Sequence, residues 1–254
     1  MSDTNRPGEQ GPSLVPLDQP TGRRDFLRWT GAGAAAVFVA AACDDTEVRT
    51  ITEVTRPDTV VVNPPPPTFA AVTLNFTNDF GVLNFAFALE QLEAAFYTQV
   101  VATPYSGITD AERRVLTDLR DHEVIHRDFL RAALGTNAIG SLTPNFSAVN
   151  FSSRDSVLTT ARMFEDLGVA AYNGAGQFLT SPALLTVAGK IVSVEARHAS
   201  AIRDLLNPRS RDFAPRAFDD AFPPQQVIAA AAPFIRNTVT LTNVPNFTPS
   251  ADLA

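Results

Sequence analysis

The residues best suited to chemistry are two pairs of glutamate and histidine. Glu123 and His126 lie three residues apart in one segment, and Glu195 and His198 have the same spacing in another. Residues three apart on a helix share a face, so each pair directs a carboxylate and an imidazole to one spot. The chain has only three histidines, and two of them follow a glutamate in this way. Carboxylate and imidazole together are typical ligands of divalent metal ions.

Two further glutamates, Glu90 and Glu165, lie on apolar helical stripes that should face a core. Each is followed seven residues later by a tyrosine, Tyr97 or Tyr172. A buried carboxylate without a partner is costly or stays protonated. Two divalent cations would balance four carboxylates and allow both imidazoles to bind in the neutral form. The predicted ligands of a two-metal site are therefore Glu90, Glu123, His126, Glu165, Glu195 and His198.

Four nearby residues have other predicted roles. Glu93 is on the same helix face as the first of these glutamates, and it either bridges the metals or accepts a hydrogen bond from a ligand histidine. Tyr97 and Tyr172 either bond to ligand carboxylates or lie near oxidant chemistry, or they are core tyrosines with satisfied hydroxyl groups. His122 is predicted to be a surface histidine rather than a ligand.

The elements that carry these residues are predicted to be four helices. Apolar spacing, capping residues and terminating Pro or Gly place them at about 78–103, 109–135, 152–179 and 181–207. The two short connections predict antiparallel hairpins, and the long loop after the second helix can cross the length of the bundle. The predicted fold class is therefore all-α, a four-helix bundle with two hairpins and one long crossover.

A C-terminal extension, residues 208–254, follows the predicted bundle of residues 68–207. It is rich in Pro, Phe and Asp, and one further helix is expected at about 224–236. The segments "VTLNF", before the first helix, and "TVTLTNV", near the end of the chain, are β-like and could pair.

The N-terminal segment "TGRRDFLRWTGAGAAAVFVAAAC" has the layout of an export signal. The pair Arg23-Arg24, followed by a spacer, Phe26 and Leu27, is similar to the twin-arginine consensus. The apolar run is too short to span a bilayer comfortably. We therefore expect residues 1–42 to be a polar leader and a twin-arginine signal peptide.

Cys43 is the only cysteine of the chain, so neither an internal disulfide nor a cysteine-rich metal site can form. It follows "VFVAAA", the position at which a lipoprotein signal places its lipidated cysteine. The alternative is ordinary cleavage at the small residues 40–42. Residues 43–67 end in four prolines and predict a stiff tether. The expected location is the periplasm or cell envelope, with a lipid anchor in the membrane.

Residues of about 78–206 resemble the ferritin-like superfamily. The motifs "LNFAFALEQLEAAFY", "DHEVIH", "FEDLGVAAYNGA" and "VEARHA" look most like the ferritin-like domain proteins of the desiccation-related group. The resemblance implies a ferritin-like four-helix bundle with a two-metal site held by the six ligands named above. It leaves the signal, the tether and the C-terminal extension outside.

The ligand set and the composition limit the function. Without a thiolate, the site favours two Fe or Mn ions, with zinc as an adventitious occupant. The leading hypothesis is an oxidoreductase acting on Fe(II), dioxygen or peroxide; the alternative is a non-enzymatic envelope protein in which the metals are structural. A closed iron-storage cage fits poorly with a tether and an extension. The net charge of −7 argues against nucleic-acid binding, and a homo-oligomer is compatible with the sequence.

Overall fold

The fold was determined as a computed structural model that describes residues 68–247; Arg23, Arg24 and Cys43, with their predicted roles, lie outside this range. The described chain is mostly helical. The helices are α1 (Asp79–Ala102), α2 (Asp110–Leu134), α3 (Arg154–Ala175), α4 (Pro182–Leu206) and α5 (Pro224–Ala231), and the strands are β1 (Val72–Asn75) and β2 (Val239–Thr242). The predicted bundle of four long helices is confirmed. Among the helices of this range, none has the length and hydrophobicity needed to cross a membrane.

The helices begin where capping residues predict them. In the four long helices, the side chain of the N-cap residue accepts a backbone hydrogen bond; these residues are Asn78, Thr109, Ser153 and Ser181. At the start of α2, Thr109 and Glu112 form a reciprocal capping box. At the start of α4, Pro182 occupies the first turn, where its missing N–H costs nothing. Each cap contributes about 1 kcal/mol to helix stability.

The four long helices form two hairpins. α1 packs along α2, and α3 packs along α4. The segment between α2 and α3 begins with a 3₁₀ turn at Gly135–Asn137 and continues to residue 153 as the long crossover. α1 is buried over most of its surface, including the uninterrupted run of residues 81–90. The core therefore surrounds α1, and any polar side chain in the middle of this helix lies inside the protein.

The C-terminal extension is part of the same fold. β1 and β2 pair as a two-stranded parallel sheet in which Val72 lies opposite Val239, so the two β-like segments of the sequence do pair. Between α4 and α5, the Phe222 N–H donates to the Ala170 carbonyl of α3 at 3.0 Å. The expected fifth helix is shorter than predicted, because its last turn is the 3₁₀ turn Ala232–Phe234.

Candidate metal centre

The six predicted ligand side chains meet in the middle of the bundle. α1 provides Glu90, α2 provides Glu123 and His126, α3 provides Glu165, and α4 provides Glu195 and His198. The four carboxylates are fully buried, and the two imidazoles are 9% and 4% exposed. Each long helix therefore directs at least one charged or polar ligand into the core, where apolar side chains would otherwise pack.

The cluster consists of two overlapping groups. Glu90 and His126 belong to one group and Glu165 and His198 to the other, while Glu123 and Glu195 belong to both. In each group, the candidate ligand atoms lie within 4.8 Å of one another. The ring centres of His126 and His198, which belong to different groups, are 6.3 Å apart. Glu123 and Glu195 thus lie between two adjacent positions, each of which could hold a metal ion.

Each of the two shared carboxylates contacts a histidine of the other hairpin. The Nδ1 atom of His126, on α2, is 2.9 Å from an oxygen of Glu195, on α4. The Nδ1 atom of His198, on α4, is 2.9 Å from an oxygen of Glu123, on α2. Each Glu-x-x-His pair therefore sends its carboxylate toward the histidine of the other pair. This exchange gives the cluster an approximate twofold arrangement.

The unsatisfied atoms of the cluster test whether it fits metal ions. Eight buried ligand atoms have no hydrogen-bond partner among the described residues: Glu90 Oε2, both oxygens of Glu123, His126 Nδ1, Glu165 Oε2, both oxygens of Glu195 and His198 Nδ1. The short contacts between imidazole and carboxylate lack hydrogen-bond geometry. Most buried polar atoms in proteins have a partner, and oxygen and imidazole nitrogen are suitable donors to divalent cations. The residues present therefore fit two metal ions.

The pKa values of the buried carboxylates show that ionising all of them without metal is unfavourable. Burial, together with the charge of Glu123, raises the pKa of Glu90 to about 8. Burial also raises the pKa of Glu195 and Glu165. Burial opposes ionisation of Glu123 as well, but the contacts with the two imidazoles outweigh it and lower its pKa to about 2. The metal-free cluster thus holds protons on some carboxylates.

The pKa values of the two imidazoles are also raised, but the cause is the surrounding carboxylates and not burial. Burial disfavours the imidazolium of His126, but the surrounding carboxylates outweigh it and raise the pKa to about 12. In the same way, Glu123 and Glu165 overcome the burial of His198 and raise its pKa to about 10. Since metal ligands must be deprotonated, metal binding has to displace these protons.

Both tyrosines bond to carboxylates of the cluster, as one of the alternatives predicted. The Tyr97 hydroxyl donates to Glu165 at 2.5 Å, and the Tyr172 hydroxyl donates to Glu90 at 2.5 Å. In each case a tyrosine from one hairpin holds the glutamate of the other. These two bonds leave one oxygen of each glutamate facing the cluster.

His122 has a contact that the sequence analysis missed. Its side chain is exposed, as expected for a surface histidine, but its Nδ1 atom lies 2.9 Å from Nε2 of His198. The two rings are stacked, with centroids 5.1 Å apart. Partial desolvation of its ring and the two neighbouring histidines lower the pKa of His122. Its position four residues before His126, one helical turn away, was the available signal.

Glu93 lies beside the cluster and belongs to neither group of ligand atoms. Its carboxylate is buried, and burial with the charge of Glu123 raises its pKa. It lies against Gly168, where an added Cβ would be 3.1 Å from Glu93 Oε1. Gly168 follows Glu165 by three residues, just as Glu93 follows Glu90. The second hairpin therefore has a glycine where the first has a carboxylate. The two alternative roles of Glu93, bridging the metals or accepting a hydrogen bond from a ligand histidine, stay predictions.

Comparison with known proteins agrees with this architecture. No curated protein shows a significant match to the chain. Residues 78–208 match the family model of the ferritin-like domain. The matched segment makes up just over half of the chain, and it contains α1 to α4 and every side chain of the cluster. The chain is accordingly a member of the ferritin-like domain family.

Proposed function

We propose that the buried cluster binds two divalent ions, iron or manganese, and that the protein uses them in redox chemistry on Fe(II), dioxygen or peroxide. The observation that carries this proposal is the set of eight buried ligand atoms without partners. Two divalent cations would satisfy these atoms and balance the four carboxylates. Carboxylate and imidazole ligands favour iron and manganese, with zinc as the less favoured occupant.

The side chains would divide the work of holding the metals. Glu123 and Glu195 would help to hold both ions, because both belong to both groups of candidate ligand atoms. Glu90 with His126, and Glu165 with His198, complete one position each. Bound iron or manganese would supply one-electron steps toward a small oxidant. The hydroxyl groups of Tyr97 and Tyr172 fix the rotamers of Glu165 and Glu90. Loss of such a supporting hydrogen bond commonly changes metal affinity ~10–100-fold.

Elemental analysis of the folded protein, purified without chelator and loaded with Fe(II) or Mn(II), tests the metal claim. We expect two ions per chain in the wild type and a loss of metal in Glu123→Gln. Glu112→Gln is the matched control, because Glu112 is a buried carboxylate of the same helix that pairs with Arg154, away from the cluster. Equal metal content in all three proteins would refute the assignment of the ligands.

A structural role for the metals is the second candidate. All four long helices contribute candidate ligands, so two ions would join the two hairpins and stabilise the folded state by mass action. The comparison of oxidation rates separates the two functions. If fully loaded wild type consumes neither dioxygen nor peroxide above a free-metal control, with both iron and manganese, the structural role stands and the redox role is refuted.

The exported, membrane-anchored location is also a proposal, and it rests on the sequence. The pair Arg23-Arg24 favours the twin-arginine route, which carries folded proteins, so the metals could be loaded before export. Lipidation of Cys43 would place the bundle on a tether at the membrane surface, in keeping with an envelope protein of the desiccation-related group. We expect Cys43→Ala to move the protein from the membrane fraction to the soluble envelope fraction. Unchanged fractionation of this variant would refute the lipid anchor.

A further inference from the structure

An apolar cavity lies next to one side of the metal centre. It is lined by the first half of α1, the last turns of α2 and α3, and the first half of α4, and it is partly open to solvent. Its walls include Leu83, Ala86, Leu130 and Ala188, and among the described residues Tyr172 is the only polar side chain in its lining. Since the hydroxyl of Tyr172 bonds to Glu90, the tyrosine ring separates the cavity from the cluster. The cavity is thus one side chain away from a predicted metal ligand.

The two halves of the bundle differ at this point. Tyr97 and Tyr172 occupy equivalent positions in the repeat, and each bonds to a glutamate of the cluster. Tyr97 is fully buried, with its ring packed at 5.1 Å from that of Phe96, which also packs against Phe164. Tyr172 is only half-buried, and its ring lines the cavity. The side of the centre next to Tyr172 is therefore the more open one.

The size and polarity of the cavity limit what it can hold. Its volume is about 30 Å³, whereas one water molecule needs ~10–15 Å³ by the same measure. A molecule of two heavy atoms fits, and a long alkyl chain does not. Peroxide would bury two hydroxyl groups that need hydrogen bonds, and the described lining offers only the Tyr172 hydroxyl, whose hydrogen is already donated to Glu90. The cavity therefore suits a small, uncharged and apolar molecule.

We infer that this cavity is a binding site for dioxygen on its way to the metal centre, through the Tyr172 side of the bundle. The inference rests on the proposed redox function and selects dioxygen as the oxidant. In the oxidation of Fe(II), dioxygen accepts one electron from each of two Fe(II) ions and takes up two protons. It leaves as hydrogen peroxide, and the two ions become Fe(III).

Xenon tests the cavity independently of activity, because apolar protein cavities bind this gas. The probe is ¹²⁹Xe NMR of the full-length, metal-free protein. We expect wild type to bind xenon and Ala188→Leu, which places a larger side chain in the cavity, to lose this binding. Ala183→Leu is the matched control, because Ala183 is exposed on the same helix and outside the lining. No xenon binding in wild type, or equal binding in all three proteins, would overturn the cavity as a gas site.

A second variant guards against misfolding of the first. Ala133 also lines the cavity but is exposed at the end of α2, so Ala133→Leu can narrow the opening with little strain in the core. It should weaken xenon binding while circular dichroism and the melting temperature stay close to those of wild type. If xenon binding is unchanged in a folded Ala133→Leu and a folded Ala188→Leu, the inference is wrong.

Oxidation kinetics then test the role of the cavity. In protein loaded with Fe(II), both lining variants should slow the oxidation by dioxygen several-fold, and the oxidation by hydrogen peroxide should be unchanged. Ala183→Leu should match wild type with both oxidants. Equal rates with dioxygen in all variants would overturn the dioxygen route, even if xenon binds. If wild type oxidises no Fe(II) with either oxidant, the iron form of the proposed function fails and the dioxygen route fails with it, while xenon binding still decides whether the gas site exists.

Discussion

The metal-free protein should lose stability as the pH rises from about 5 to 8, and Glu90 should account for part of this loss, together with the other buried glutamates whose pKa is raised. The pKa of Glu90 is about 8 in the folded state, against 4.5 for an unperturbed glutamate. A raised pKa means that the protonated carboxyl stabilises the folded state at pH values below 4.5. This contribution is lost progressively as the pH rises toward 8.

The magnitude follows from the size of the shift. One pKa unit corresponds to about 1.4 kcal/mol. Between pH 4.5 and pH 7 the unfolded chain loses the Glu90 proton while the folded protein keeps it, so the free energy of unfolding falls by on the order of 3 kcal/mol. The raised pKa values of His126 and His198 act in the same direction above pH 6.5, because the folded protein then binds more protons than the unfolded chain. The lowered pKa of Glu123 opposes this trend only below about pH 4.5.

Urea unfolding at pH 5, 6, 7 and 8, with chelator present, measures the effect. We expect the free energy of unfolding of wild type to fall across this range and that of Glu90→Gln to fall less steeply. Glu112→Gln is the control, because the pKa of Glu112 is lowered by its hydrogen bonds to Thr109 and Arg154 despite its burial, so its removal should not flatten the profile. Stability of metal-free wild type that is constant or increases from pH 5 to 7 would refute this reasoning.

Two further predictions concern single contacts. Tyr97→Phe removes the hydroxyl that donates to Glu165 and should weaken Mn(II) binding at one of two sites by ~10–100-fold; calorimetric titration showing two unchanged sites would contradict this. Gly174→Ala should detach the extension from α3, because a Cβ there would lie 1.9 Å from the Phe222 carbonyl oxygen. Faster hydrogen exchange at the Phe222 amide is the expected result, and exchange as slow as in wild type would argue against a rigid contact.

The set of candidate ligands could be predicted from the sequence because its signals are local. Glu123 with His126, and Glu195 with His198, share a helix face through their spacing alone, whatever the helix packs against. The helix starts at Thr109 and Ser181 likewise depend on neighbouring residues. The burial of these helices then required the polar side chains on their apolar faces to meet. Fold class and the six candidate ligands therefore followed from short-range patterns.

The pairing of the terminal segments could be predicted only in part. The β-branched residues around Val72 and Val239 indicated strands, and the structure pairs them in parallel. Their direction and register were not predictable, because they depend on how the extension returns across the bundle. The same applies to the contact of Phe222 with Gly174, which joins segments about 50 residues apart in sequence and has no local signature.

Only the tertiary structure decided which partner each ligand meets. Glu123 contacts His198 and Glu195 contacts His126, each on the other hairpin. Tyr172 likewise donates a hydrogen bond to Glu90 across the hairpins. These contacts depend on the rotation and axial offset of neighbouring helices. Helical periodicity defines the face of a residue but not the height at which another helix crosses it. The contact of His122 with His198 and the open side of the centre beside Tyr172 arise from this same packing. The sequence by itself therefore determined the residues of the centre, whereas the packing of the four helices determined its connections and its accessible side.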